Sequence, residues 1–112
     1  MPAIDLTDAD FAERIAATPA AIVDFHAGWC GPCLLFKPKF KRISNDYPHV
    51  SFFLVDGEAA PTARKTVKIG ELPFFAAYRD GHIIEGLSTA EEAPFREFVE
   101  KHFGKAPAGS AS

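Results

Sequence analysis

Residues 24–38 read DFHAGWCGPCLLFKP, and they hold both cysteines of the 112-residue chain, Cys30 and Cys33, separated by Gly31 and Pro32. The stretch joins two kinds of pattern. Before it, Ala21-Ile22-Val23-Asp24-Phe25-His26 is a short, mostly apolar run without a 3.6-residue period, as in a strand buried on both faces. After it, Leu34, Leu35, Phe36, Phe40 and Ile43 recur at helical spacing, with Lys37, Lys39, Lys41 and Arg42 between them, which predicts an amphipathic helix to about Tyr47. Pro38 inside that helix removes one backbone hydrogen bond and predicts a kink. The cysteines therefore sit at a strand-to-helix turn.

That position has chemical meaning. A thiolate, not a thiol, attacks a disulfide, and the unpaired N–H groups and positive dipole end of a helix N-terminus stabilise one. Cys30 falls at the turn, and Cys33 one helical turn later is expected to be the more buried. The spacing lets the second sulfur reach the first, so a mixed disulfide on Cys30 can be resolved by Cys33. Pro32 suits the first helical turn, and Gly31 permits close approach. The same spacing also makes half of many zinc sites. A structural zinc wants four ligands, however, and His26, His49, His82 and His102 supply no ordered pair and no second CxxC is present.

Outward from the motif, Leu6–Phe11 reads as a helix start, with Thr7 or Asp8 as cap and Leu6 against Phe11 as a staple, opening a first helix that runs to about Ala17. Val50–Asp56 reads as a second internal strand and Ala59–Val67 as a short helix opened by Pro61. Residues 69–73 form a loop. Phe74–Arg79, the turn Asp80-Gly81 and His82–Leu87 form a hairpin. Glu91–Phe103 is a last amphipathic helix stopped by Gly104, and the tail 105–112 is expected to be disordered beyond a single domain, 1–104. The order predicts an α/β fold: a parallel βαβ pair with an antiparallel hairpin added to the same sheet.

Composition narrows the function classes. With 12 basic and 15 acidic residues the net charge is -3, which offers no footprint for nucleic acid. No run of about 18 apolar residues suggests a membrane span. The start MPAIDLTDAD is acidic, without the basic-then-apolar order of a signal peptide, so cytoplasmic residence is the expectation. Two cysteines in a core-competent domain then read as chemistry or metal rather than as a stapling framework. Asp24 interrupts an apolar strand, where desolvation would raise its pKa into the range of a proton carrier near neutrality. A strand-end aspartate that reaches solvent or caps a turn is the alternative.

Asp24-Phe25, Trp29-Cys30-Gly31-Pro32-Cys33, Pro38, Leu72-Pro73, Asp80-Gly81 and Gly86, in that order, resemble the thioredoxin family over about residues 4–103. The resemblance implies a mixed central sheet flanked by helices and a protein-disulfide reductase. It makes Cys30 the attacking cysteine, Cys33 the resolving one and Asp24 the proton relay. Trp29, Gly31, Pro32 and His26 would surround the site, and Pro73 would be a cis-proline facing it. Glu71, Leu72, Pro73 and Phe74 would bind substrate. It further implies a monomer with no bound cofactor or metal, drawing electrons from NADPH through a thioredoxin reductase and acting on disulfide-containing proteins. Four features depart from the family pattern. His26 stands where tryptophan is usual, where it could tune Cys30 or be a satisfied core histidine, and Leu34 where a lysine or arginine follows the second cysteine. Phe52 or Phe53 stands where a buried lysine pairs with the aspartate. Glu71 and Phe74 replace smaller or polar groove residues, although strand alternation also allows Phe74 to face the core. These departures leave open a thioredoxin-fold binding module serving one dedicated partner, and an isomerase-like domain of a longer chain. Gly-Pro between the cysteines resembles the reducing members.

Overall fold

The computed structural model describes residues 3–106. Along the chain run β1 (Ile4–Leu6), α1 (Phe11–Ala16), β2 (Ala20–His26), α2 (Gly31–Ser44), β3 (Ser51–Asp56), α3 (Pro61–Lys65), β4 (Phe74–Arg79), β5 (His82–Ser88) and α4 (Glu92–Phe103). The strands form one mixed sheet in the order β1-β3-β2-β4-β5. β3 is parallel to both β1 and β2, while β4 is antiparallel to β2 and β5. This is the α/β architecture expected from the order of elements, with one strand added at the edge. The expected tail at 105–112 lies outside the described residues from 107 onward.

β1 was not legible because its three residues offer only one alternation of apolar and polar. Ile4 and Leu6 pack against the sheet beside Phe53 and Val55. That strand displaces the start of α1. The sequence places its cap at Thr7 or Asp8, whereas the helix begins at Phe11 and Asp10 accepts the Thr7 amide at 2.7 Å. Asp8 is used elsewhere: its carboxylate accepts the amides of Thr62 (3.0 Å) and Ala63 (2.8 Å), capping α3 from a distant loop. Leu6 and Phe11 do share one apolar cluster.

β2 is buried on both faces, so each face of the sheet has its own core. Val23 and Phe25 join Phe11, Ile15, Phe53 and Phe74 on the side of α1 and α3. Ile22 joins Phe36, Phe40, Phe52, Phe75 and Phe95 on the side of α2 and α4. Phe95 lies at the hub of this second core, with ring centroids 4.5 Å from Phe75, 5.3 Å from Phe36, 5.7 Å from Phe40 and 6.1 Å from Phe52. Aromatic pairs at these separations add to the energy of area burial. On the surface, Glu92 on α4 accepts both Arg42 of α2 (2.7 Å) and Arg96 (2.9 Å), which orients the two helices.

The hairpin turn has both residues in the left-handed region, Asp80 at φ 51° and Gly81 at φ 85°, as a two-residue turn that follows strand twist requires. Further along β5, Gly86 is the seat of the Phe74 ring: a Cβ there would stand 2.2 Å from Phe74 Cζ. Two stability predictions follow from these packings. Phe95→Ala should cost about 3–5 kcal/mol by loss of a buried ring and the cavity it leaves. Gly86→Ala should cost about 1–3 kcal/mol by displacing the Phe74 ring. Urea unfolding measures both, and a Gly86→Ala protein as stable as the parent would contradict the seat.

Candidate active site

β2 ends at His26 and α2 begins at Gly31, so the intervening turn carries the site. Cys30 is the residue that caps α2: its backbone is extended (φ -90°, ψ 107°) and its sulfur accepts the Cys33 amide at 3.2 Å. Pro32 occupies the first turn, where a missing N–H costs nothing. Cys30 and Cys33 are joined as a disulfide with Cα atoms 5.2 Å apart. A donor amide and a helix N-terminus at this sulfur are the groups that would stabilise a thiolate on Cys30 once the bond is reduced. The expected contrast in burial is small, since Cys30 is 4% and Cys33 2% exposed. Gly31 is not needed for space, because a Cβ there would meet nothing within 4 Å.

Trp29 stands out from the turn at 71% exposure, and Leu34 and Leu35 at 57% and 74% extend this apolar surface along α2. Beside Cys30 opens a groove of about 590 Å³. Trp29, Ile69 and Leu72 give it apolar walls, and Glu58, Arg64 and Glu71 give it charges of both signs. Arg64 is held over Gly57, with its Cδ 3.2 Å from where a Cβ would be, and the Gly57 amide donates to the His26 carbonyl at 2.8 Å. Ile69, Glu58 and Arg64 carry no sequence pattern that marks them; the crossover of α3 brings them to the cysteines.

The Leu72–Pro73 bond is cis, and Pro73 is buried. The Glu71 carbonyl accepts the Ser88 hydroxyl at 3.0 Å, tying this loop to β5. Phe74 is not part of the groove. It is 8% exposed and packs on Phe25 at 6.4 Å and over Gly86, because β4 alternation turns it toward the α1 side. Of the four expected substrate-binding residues, Glu71 and Leu72 therefore line the groove.

Asp24 lies in the middle of the sheet, beside Leu54 of β3 and Phe75 of β4, and is fully buried. The register thus puts Leu54, rather than Phe52 or Phe53, next to the aspartate. Neither carboxyl oxygen has a hydrogen-bond partner in the protein. Burial pushes its pKa up to about 8, and Lys37 on α2 is the charge that opposes the rise. The sequence alternative of a solvent-reaching carboxylate is excluded by this burial. His26, two residues on, is half-buried, and its Nε2 is sealed from water without a partner. Burial and then Lys37 hold its pKa below the usual histidine value, against Asp56 and Asp5.

The folded state therefore holds Asp24 more easily as the neutral acid than the unfolded chain does. Its contribution is intact below its ordinary pKa of 3.8 and is lost as pH rises toward about 8. Asp24→Asn, neutral at every pH, should match the parent near pH 4 and exceed it at pH 7 by at most about 4 kcal/mol. Denaturant unfolding across pH 4–8 tests this, and a gap that does not widen with pH would refute it.

Comparison with known proteins matches this geometry to one family. The thioredoxin family model covers residues 2–101. A thioredoxin of Geodia cydonium is 32% identical over 99 residues, spanning 86% of this chain and 93% of its own. An H-type thioredoxin of Chlamydomonas reinhardtii is 35% identical over 96 residues, spanning 85% of each. The solved structure of Plasmodium falciparum thioredoxin superposes with a TM-score of 0.83 at 29% identity, covering 89% of this chain and 98% of that one. With a redox disulfide at the tip of α2 and a family match over nearly its whole length, the chain belongs to the thioredoxin family and is a thiol–disulfide oxidoreductase.

Proposed function

We propose that the protein is a general, monomeric reductant of disulfides in other proteins, working in a reducing compartment such as the cytoplasm. It would be recharged from NADPH by a thioredoxin reductase. The observation that carries the reading is the capping of α2 by the Cys30 sulfur, which gives one cysteine a donor and a helix end while its partner lies a turn behind. Gly-Pro between the cysteines supports the reducing direction by its resemblance to reducing members of the family.

In this scheme the Cys30 thiolate attacks a substrate disulfide, forming a Cys30–substrate bond and releasing one substrate thiolate. The Cys33 thiol then gives its proton to the Asp24 carboxylate, and its sulfur attacks Cys30. The Cys30–Cys33 bond forms, the Cys30–substrate bond breaks, and the second substrate sulfur leaves as a thiolate. The two electrons gained by the substrate are those lost by the dithiol. Trp29, Ile69 and Leu72 hold the substrate segment by apolar contact beside Cys30. Glu58, Arg64 and Glu71 select among segments by charge, which adjusts partner choice more than thiol chemistry.

Cys30→Ser should abolish reduction of insulin disulfides. Cys33→Ser should accumulate substrate proteins bound through Cys30, released only by an added thiol. A heterologous thioredoxin reductase with NADPH should keep the parent reduced, and its reduction potential should lie near -270 mV. A potential nearer -180 to -120 mV would contradict the reductant. A single protein dominating the trapped complexes, together with failure of the heterologous reductase, would favour the dedicated-partner role instead.

A further inference from the structure

Asp24 poses a problem of access. With its pKa about 8, the carboxyl is mostly protonated at pH 7, so it must release a proton before it can take one from Cys33. Yet the residue is fully buried, neither oxygen has a partner, and Leu54 and Phe75 close it off on either side along the sheet. We propose that His26 is the group through which Asp24 exchanges protons with solvent, a role that rests on Asp24 being the relay for Cys33.

Alternation on β2 puts Ile22, Asp24 and His26 on the face covered by α2, with His26 next in line toward the end of the strand. Same-face neighbours on a strand have Cα atoms roughly 6–7 Å apart, a spacing at which polar side chains can exchange a proton directly or through a water. His26 is half-buried, and of its two ring nitrogens only Nε2 is both sealed from water and without a partner. The ring thus has Nε2 sealed inside the protein while part of the residue remains open to solvent. A neutral imidazole arranged in this way accepts a proton at one nitrogen and gives up the other at the second. Burial favours that neutral form here.

The other charged groups on this face do not fit the task. Lys37 on α2 acts on both Asp24 and His26 through its charge, but an ammonium has donors and no acceptor. Asp56 is beside His26 on β3, with its Oδ1 occupied by the amides of Glu58 (2.9 Å) and Ala59 (3.3 Å). Asp5 lies on edge strand β1, separated from Asp24 by Leu54. The Asp24 acid passes its proton to Nε2 while Nδ1–H passes one to water, and Asp24 becomes a carboxylate able to deprotonate Cys33. When the disulfide is reduced again and Asp24 returns that proton to Cys33, the transfer runs in reverse, water supplying Nδ1 and Nε2 supplying Asp24, which restores the Nδ1–H tautomer.

The test is the single-turnover rate at which Cys33 resolves a preformed Cys30 mixed disulfide, measured against pH in dilute buffer. His26→Ala should slow this step at pH 7 by about tenfold, less than the loss of a direct acid–base group because His26 acts at one remove. Millimolar imidazole should restore the rate in proportion to its neutral form, and the reduction potential should not move, since a proton shuttle alters rates and not equilibria. His26→Gln, which keeps a polar side chain, should be equally slow and serves if the alanine variant does not fold. An unchanged rate in either variant would overturn the proposal, as would a loss that imidazole does not restore in His26→Ala. Asp24→Asn separates the two ideas. If it leaves the step unaffected, the relay itself fails; if it slows the step while the His26 variants do not, only the role of His26 fails.

Discussion

β2 is hydrogen-bonded along both edges and buried on both faces, and the placement of both cysteines follows from where it stops. Its pairing with β3 and β4 fixes the register that sets Asp24 between Leu54 and Phe75. The strand runs out at His26, and α2 begins within a few residues, so the cysteines meet the helix at its first turn. A one-residue slip of β2 would send Asp24 to the opposite core and carry His26 away from α2. The two apolar clusters hold the strand from both sides and make such a slip costly.

Within this frame one expensive group is tolerated. An unpartnered carboxyl in the middle of a sheet opposes folding, and increasingly so as pH rises. The aromatic core on the same face, centred on Phe95, supplies stabilisation of comparable size. Lys37 eases the charged state from across the helix interface without forming a direct ion pair. Stability and the proposed proton relay thus draw on the same face of the same strand.

The central elements were legible in the sequence because each carries a strong local signal. Apolar runs marked β2 and β3, helical spacing marked α2 and α4, and Asp80-Gly81 marked the hairpin. The boundaries of α1 were misplaced because Asp8, a good local cap, serves α3 instead, and nothing near Asp8 in the chain announces that partner. β1 is too short to show a period. In the site, Cys30 and Cys33 were evident from spacing and the buried aspartate from its apolar neighbours. Lys37, Leu54, Glu58 and Arg64 were not, since only the strand register and the α3 crossover bring them near. Phe74 illustrates the same limit: alternation admitted both faces, and the Gly86 seat on a neighbouring strand decides between them.

The distant cap on α3 links two parts of the chain that otherwise share no chemistry. Asp8 fixes the first turn of the helix that carries Arg64, so one wall of the groove is braced by the loop that follows β1. The shape presented to a partner is therefore partly a property of the N-terminal segment. A substitution at Asp8 would loosen the wall that carries Arg64 and leave the cysteine turn itself untouched.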